Sequence, residues 1–147
     1  MSSADFTTKD PGFKVRGIHH VAFAHKDRAV IDGLESLFGF RCDLTEEASG
    51  FVERMFPVGG GYVQTLEATG PGVVDRFIER RGPALHHVAF EVEDIDAAVD
   101  ELKRRGTKMV DDAPRQGGGG TRIAFVHPSA CGGLLVELVE AKREAGS

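Results

Sequence analysis

The hexapeptide Ile18-His19-His20-Val21-Ala22-Phe23 returns as Leu85-His86-His87-Val88-Ala89-Phe90, with five identities in six positions. Three further landmarks keep the same interval of 67 residues: His20 and His87, Asp27 and Asp94, Gly39 and Gly106. A second pair of segments also matches, VQTLEA at 63–68 and VELVEA at 136–141, placing Gln64 and Glu137 73 residues apart. Landmarks in the same order, with an interval that drifts by only six residues of loop, mark a duplication. Each copy reads as a strand (18–23, 85–90) and then a helix with Asp27 or Asp94 as its N-cap. The first helix offers Val30, Ile31, Leu34, Leu37 and Phe38 as its apolar stripe; the second offers Ile95, Ala98, Val99 and Leu102. Gly39 and Gly106 follow as residues able to take the left-handed conformation at a helix end.

Three more strands per copy complete the pattern. They are expected near 40–45, 50–57 and 62–68, with the turn Gly59-Gly60-Gly61, and near 107–112, 121–127 and 134–140. A helix from Val73 to Arg81 joins the copies. The expected fold is α+β: two tandem βαβββ modules forming a curved mixed sheet, an incomplete barrel around a metal site, with helices outside. A single domain is expected over 16–147, with module one over 16–70, module two over 83–141, and a flexible N-terminal tail over 1–15.

Length and composition agree with one domain holding a sizeable core: 147 residues, 41% of them apolar and 28% charged. Eighteen Lys and Arg against 23 Asp and Glu give a net charge of -5, which argues against nucleic acid or an anionic membrane as partner. The apolar run from Gly132 to Val139 is too short to cross a bilayer, and Glu137 interrupts it. Residues 1–14 show no apolar segment of a secretory signal. Cys42 and Cys131 sit far apart in no CxxC pair and read as free thiols in a reducing cytoplasm.

Four repeat-related positions suit a divalent metal: His20, Gln64, His87 and Glu137. Each copy supplies an imidazole from its first strand and an oxygen donor from its last, a set that fits Co, Mn, Ni, Fe or Zn. A lone strand histidine is more often structural, but the same coincidence twice favours a ligand set. Strand parity lets only one histidine of each HH pair face a given side. Parity alone leaves His19 against His20, and His86 against His87, undecided. Glu53, in a strand hairpinned to that of Gln64, can share its face. Glu67 and Glu140 lie three residues beyond Gln64 and Glu137, face the other way, and read as solvated.

These residues resemble the vicinal oxygen chelate superfamily. Within it the stretch from Arg16 to Glu140 resembles the methylmalonyl-CoA epimerases. The strings that carry the likeness are GIHHVAF, LFGF, Gly50-Phe51-Val52-Glu53, VQTLEA, FIERRGPALHHVAFEVEDIDAA, GTRIAFVHP and GLLVELVE. The resemblance implies one divalent metal on His20, Gln64, His87 and Glu137, selecting the second histidine of each pair. It puts the family's catalytic carboxylate on Glu53, and Glu137 is the candidate second base. Two imidazoles, one amide and one carboxylate would leave a formal charge of +1, which a 2-substituted malonyl thioester could neutralise. The implied activity is epimerisation of (R)- and (S)-methylmalonyl-CoA by 1,1-proton transfer, with an acyl-CoA as the small-molecule partner and a homodimer in the cytoplasm. The EEASG stretch before Glu53 departs from the family pattern. Two alternatives share the fold: a glyoxalase-like lyase or isomerase, against which Gln64 and Glu53 argue, and a metal-free small-molecule binding protein, which would not need four symmetric donors. Arg115, Arg122, Lys103, Arg104 and Arg105 could meet coenzyme A phosphates, although solvated charge is the simpler reading for the helical three. Gln116 to Gly120 reads equally as a mobile lid or a plain connection, and His25 and His127 receive no role.

Overall fold

The computed structural model describes residues 11–142. Residues 1–10, most of the expected tail, and 143–147 lie outside the described residues. In chain order the elements are β1 (Val15–His25), α1 (Ala29–Phe38), β2 (Leu44–Ala48), β3 (Phe51–Val58), β4 (Gly61–Ala68), α2 (Val73–Arg81), β5 (Ala84–Val92), α3 (Ile95–Arg104), β6 (Arg115–Gln116), β7 (Arg122–Val126) and β8 (Val136–Glu140). The βαβββ order therefore occurs twice, with α2 between, and the class is α+β. The eight strands are hydrogen-bonded in the order β2-β3-β4-β1-β5-β8-β7-β6, a mixed sheet. In each module the first strand runs parallel to the last (β1 with β4, β5 with β8), and the remaining neighbours are antiparallel.

The chain divides into two compact units, His20–His87 and the described parts of Met1–His19 with Val88–Ser147. In the first, Ala22, Ala24 and Leu66 of the sheet pack on Val74, Phe77 and Ile78 of α2. The tip of the β2–β3 hairpin is tied to the loop before α2. Thr69 N and Gly70 N both donate to Gly50 O, at 2.8 and 3.2 Å. Gly50 has φ +86°, and a Cβ there would stand 2.5 Å from Pro71 O, so only glycine fits. In the second unit, Ile95, Ala98 and Val99 of α3 pack on Val92, Ala124, Val126, Val136 and Leu138, with Phe13 and Val15 against the same core. Ala89, Ile123 and Val139 form a separate cluster with Phe125.

Local chemistry sets the element ends. Asp94 caps α3 by accepting from Ala97 N at 3.1 Å. Asp27 accepts from Ala29 N at 2.9 Å but is not the cap residue; Arg28 is, because α1 starts one residue later than the spacing suggests. Gly39 takes φ 70° at the end of α1. Val58 pairs with Gly61, so Gly59 and Gly60 alone make the hairpin turn.

Several expectations are corrected. Of the α1 stripe only Ile31 is buried; Leu37 and Phe38 are 76% and 66% exposed, and Phe38 stacks on Phe40 instead. β2 begins at Leu44, not 40, because the chain past Gly39 is spent in turning: Phe40 N donates to Leu34 O, and Asp43 N to Met55 O. No strand forms over 107–112 beyond a single bridge from Met109 to Val126. There the Asp111 carboxylate accepts from Phe125 N at 2.8 Å, so a side chain takes a ladder donor. The second strand of module two is the two-residue β6 instead. Glu67 and Glu140 are not solvated: their side chains are 21% and 20% exposed, paired with Arg54 at 2.6 Å and Arg122 at 3.5 Å.

Candidate functional site

Six polar or charged side chains are buried among the described residues: His20, His25, Gln64, Thr65, His87 and Glu137. Burying such groups costs free energy unless they are paired, so their placement needs a reason. Four of the six are the repeat-related donors.

In the unit His20–His87, alternation along β1 gives one face to His20, Ala22 and Ala24, all buried, and leaves His19 on the other. Ala22 lies opposite Gln64 on β4, and Met55 of β3 lies opposite Gln64 from the other side. Directly paired residues share a face, so His20, Ala22, Gln64 and Met55 point the same way. Glu53, two residues before Met55, shares it too. The Gln64 amide nitrogen donates to Glu53 Oε1 at 2.9 Å and approaches Met55 Sδ at 3.3 Å. With its N–H groups turned to these partners, Gln64 keeps its carbonyl oxygen as the donor atom available to a cation.

His20 and His87 meet through Nε2, 3.1 Å apart, with their rings edge to face at a centroid distance of 5.2 Å. Two converging imidazole nitrogens suit a borderline divalent ion. His86, expected only to face away, touches the pair: its Nδ1 lies 2.7 Å from His87 Nδ1, and its ring meets the edge of Phe77.

In the other unit, Glu137 lies on β8 opposite both Ala89 and Phe125, 5% exposed. Ile123, Phe125 and Val139 share its face, as does Glu91, opposite Val139. Val136 and Leu138 on the opposite face pack under α3.

One residue escaped the sequence reading. Glu46 of β2 is directly opposite Glu53, on the face of Gln64, and half-buried. Its strand was placed four residues too early, which hid the register; the adjacent pair Glu46-Glu47 was the only signal. The cations considered for coenzyme A all have protein partners. Arg122 pairs with Asp96 at 2.6 Å, and Arg115 pairs with Asp111 at 3.0 Å. Lys103 donates to Asp112 O, and Arg104 and Arg105 pair with Glu101. Those last two hold the Glu101 carboxyl down to about 2, chiefly by hydrogen bonds from Arg104 and then Arg105. Gly118–Gly120 is kinked, with Gly119 in the left-handed conformation at φ 66°. His25 is buried with Nδ1 2.5 Å from Asp27 O.

Residues 19–125 match the model of the Glyoxalase/Bleomycin resistance protein/Dioxygenase superfamily. The chain is 30% identical over 149 aligned positions to the mitochondrial methylmalonyl-CoA epimerase of Mus musculus, covering 94% of this chain and 80% of that protein. It is 38% identical over 80 residues to YqjC of Bacillus subtilis, covering 54% of this chain and only 56% of that relative's length. A solved structure of a methylmalonyl-CoA epimerase in complex with methylmalonyl-CoA and NH4+ superposes with a TM-score of 0.82 at 32% identity, covering 87% of this chain and 96% of that one. The chain belongs to the glyoxalase/bleomycin resistance protein/dioxygenase superfamily and, within it, to the methylmalonyl-CoA epimerase family.

Proposed function

We propose that the protein is a metal-dependent epimerase that interconverts (R)- and (S)-methylmalonyl-CoA by moving the proton at C2. The observation that carries this reading is the shared face of the unit His20–His87: a buried pair of imidazoles, an amide, and a carboxylate that the amide holds in place. His20, Gln64, His87 and Glu137 would hold one divalent ion, Co, Mn, Ni, Fe or Zn. Three of them, His20, His87 and Glu137, are buried donors of types that bind such ions. A bound ion would supply Lewis-acid stabilisation of the negative charge that develops on the thioester oxygen.

The remaining work falls to this chain's own groups. Glu53 takes the C2 proton on one side of the substrate, its carboxylate oriented by the N–H of Gln64. Glu137 is the proposed second base, returning a proton on the opposite side. Glu46, across from Glu53, belongs to the same group of acids. The substrate is a 2-substituted malonyl-CoA, whose carboxylate matches the formal +1 of a set with only one anionic ligand. The reading includes a homodimer, on the family resemblance, and a cytoplasmic setting. Cys42 and Cys131 are both exposed and free, as a reducing compartment would keep them. Among the described residues no helix is long and apolar enough to cross a membrane.

Solvent deuterium exchange at C2 of methylmalonyl-CoA, with and without chelator, tests the proposal. Exchange with inversion that chelation abolishes and added metal restores is the expected result. No exchange in metal-loaded protein would overturn it.

A further inference from the structure

His86 stands outside the donor set, yet its ring touches one member of it. Successive strand residues point to opposite faces, but Nδ1 is the ring nitrogen nearer the backbone, and there the two neighbours meet at 2.7 Å. The other nitrogen of His87, Nε2, is the one that faces His20 Nε2 at 3.1 Å. Each ring nitrogen of His87 therefore has its own imidazole neighbour. The rings of His86 and His87 stand nearly perpendicular, at 78° with centroids 5.0 Å apart. Phe77 packs edge to face on His86 at 4.8 Å, and the Arg81 guanidinium covers Phe77 at 5.6 Å, so the His86 ring is held from behind.

We infer that His86 is a positioning residue: it accepts the Nδ1 proton of His87 and thereby presents His87 Nε2, unprotonated, as the donor to the metal. The inference rests on the proposed reading of His87 as a ligand. A neutral imidazole carries one proton, and a nitrogen that binds a metal cannot hold it. The proton of His87 then sits on Nδ1, and the atom placed to accept it is His86 Nδ1. His86 in turn carries its own proton on Nε2. Partners of this kind fix the ring orientation and raise the basicity of the ligand, and losing one typically costs 10–100-fold in metal affinity.

Two substitutions separate the hydrogen bond from the packing. His86→Phe keeps a ring against Phe77 and removes the acceptor. His86→Asn removes the ring and places an amide oxygen near the position of Nδ1. Zn(II) affinity, measured by competition with a chelating dye, should fall about 10–100-fold in His86→Phe and stay within about threefold in His86→Asn. Wild-type affinity in His86→Phe, or equal weakness in both variants, overturns the inference. A second measurement needs no variant. Long-range nitrogen–proton NMR on the Zn-loaded wild-type protein should show His87 protonated at Nδ1 and His86 at Nε2. A His87 proton on Nε2 overturns the assignment. His87→Ala separates the two levels: full Zn occupancy there defeats the ligand reading itself. Lost Zn there, beside an undiminished His86→Phe, defeats only the positioning role.

Discussion

The two modules share a frame and differ in what they hang on it. In module one Met55 is opposite Gln64, and the residue two before Met55 is Glu53. In module two Phe125 is opposite Glu137, and the residue two before Phe125 is Ile123, buried against Ala89 and Val139. The same register thus presents an acid beside an amide in one module, and an apolar side chain beside an acid in the other. The outer strands differ in the same sense. β2 has five residues and brings Glu46 up to Glu53, while β6 has two residues, both exposed. Duplication supplies the repeated imidazole and oxygen positions; divergence at neighbouring positions puts a further carboxylate, Glu53, beside the oxygen donor in one copy only. A fully symmetric site would place a carboxylate next to a carboxylate, where like charges disfavour each other's ionised form.

The largest expected effect removes what the modules have in common. His87→Ala should lose most bound metal and nearly all epimerase activity, checked by metal analysis of the purified variant alongside the rate. Normal metal content would mean that the repeated histidines are not equivalent ligands. Next comes the element that module one has and module two lacks. Glu53→Gln should leave metal content unchanged and slow epimerisation by roughly 10²–10⁴-fold, the usual contribution of one positioned acid–base group. Each epimer incubated separately in deuterated water should then separate exchange from inversion. Wild-type rates for both epimers would assign the chemistry elsewhere on that face, with Glu46 the first candidate.

A third test compares the helices. α3 buries Ile95, Ala98 and Val99, whereas α1 buries only Ile31. Ile31→Ala should therefore cost about 2–5 kcal/mol in denaturant unfolding, as for a fully buried aliphatic side chain. Leu37→Ser, at a position 76% exposed, should stay within about 0.5 kcal/mol. Comparable losses at both positions would show that Leu37 is covered in solution. Between these two in size lies Gln64→Glu, which makes the modules identical at that position. It should keep the metal and reduce kcat by roughly 10–100-fold, because Glu53 loses a charge-assisted hydrogen bond and faces a second carboxylate. An unchanged kcat/KM would show that the amide does not serve the base.

The duplication was legible because its signals are local. The HH strings, the Asp and Gly landmarks and the alternation along the strands each act over a few residues, and they found β1, α1, β3, β4, α2, β5, α3, β7 and β8 within about three residues. The face shared by Gln64 and Glu53 also follows from period-two alternation across the hairpin, whereas parity leaves His19 against His20 open and only the family resemblance selects His20. What stayed hidden depended on non-local partners. An apolar stripe on α1 has the right period through Phe38, but no periodicity reveals that Leu37 stays 76% exposed among the described residues. Asp111 displaces a strand because its carboxylate reaches Phe125 N, fourteen residues away in the chain. Glu46 could not be assigned to a face until the start of β2 was known. Contact between neighbouring His86 and His87 runs against simple alternation, so parity hid it.

Gly50 carries no functional group, yet the hairpin bearing Glu46 and Glu53 turns on it, pressed against the carbonyl of Pro71. A side chain there would push that hairpin off its anchor and carry both acids with it. A mutational survey scored by turnover alone would therefore file residue 50 among the catalytic positions, although it never meets substrate. A survey that also measured unfolding would tell the two kinds of loss apart, since Glu53→Gln is nearly isosteric while a Cβ at residue 50 meets Pro71 O at 2.5 Å.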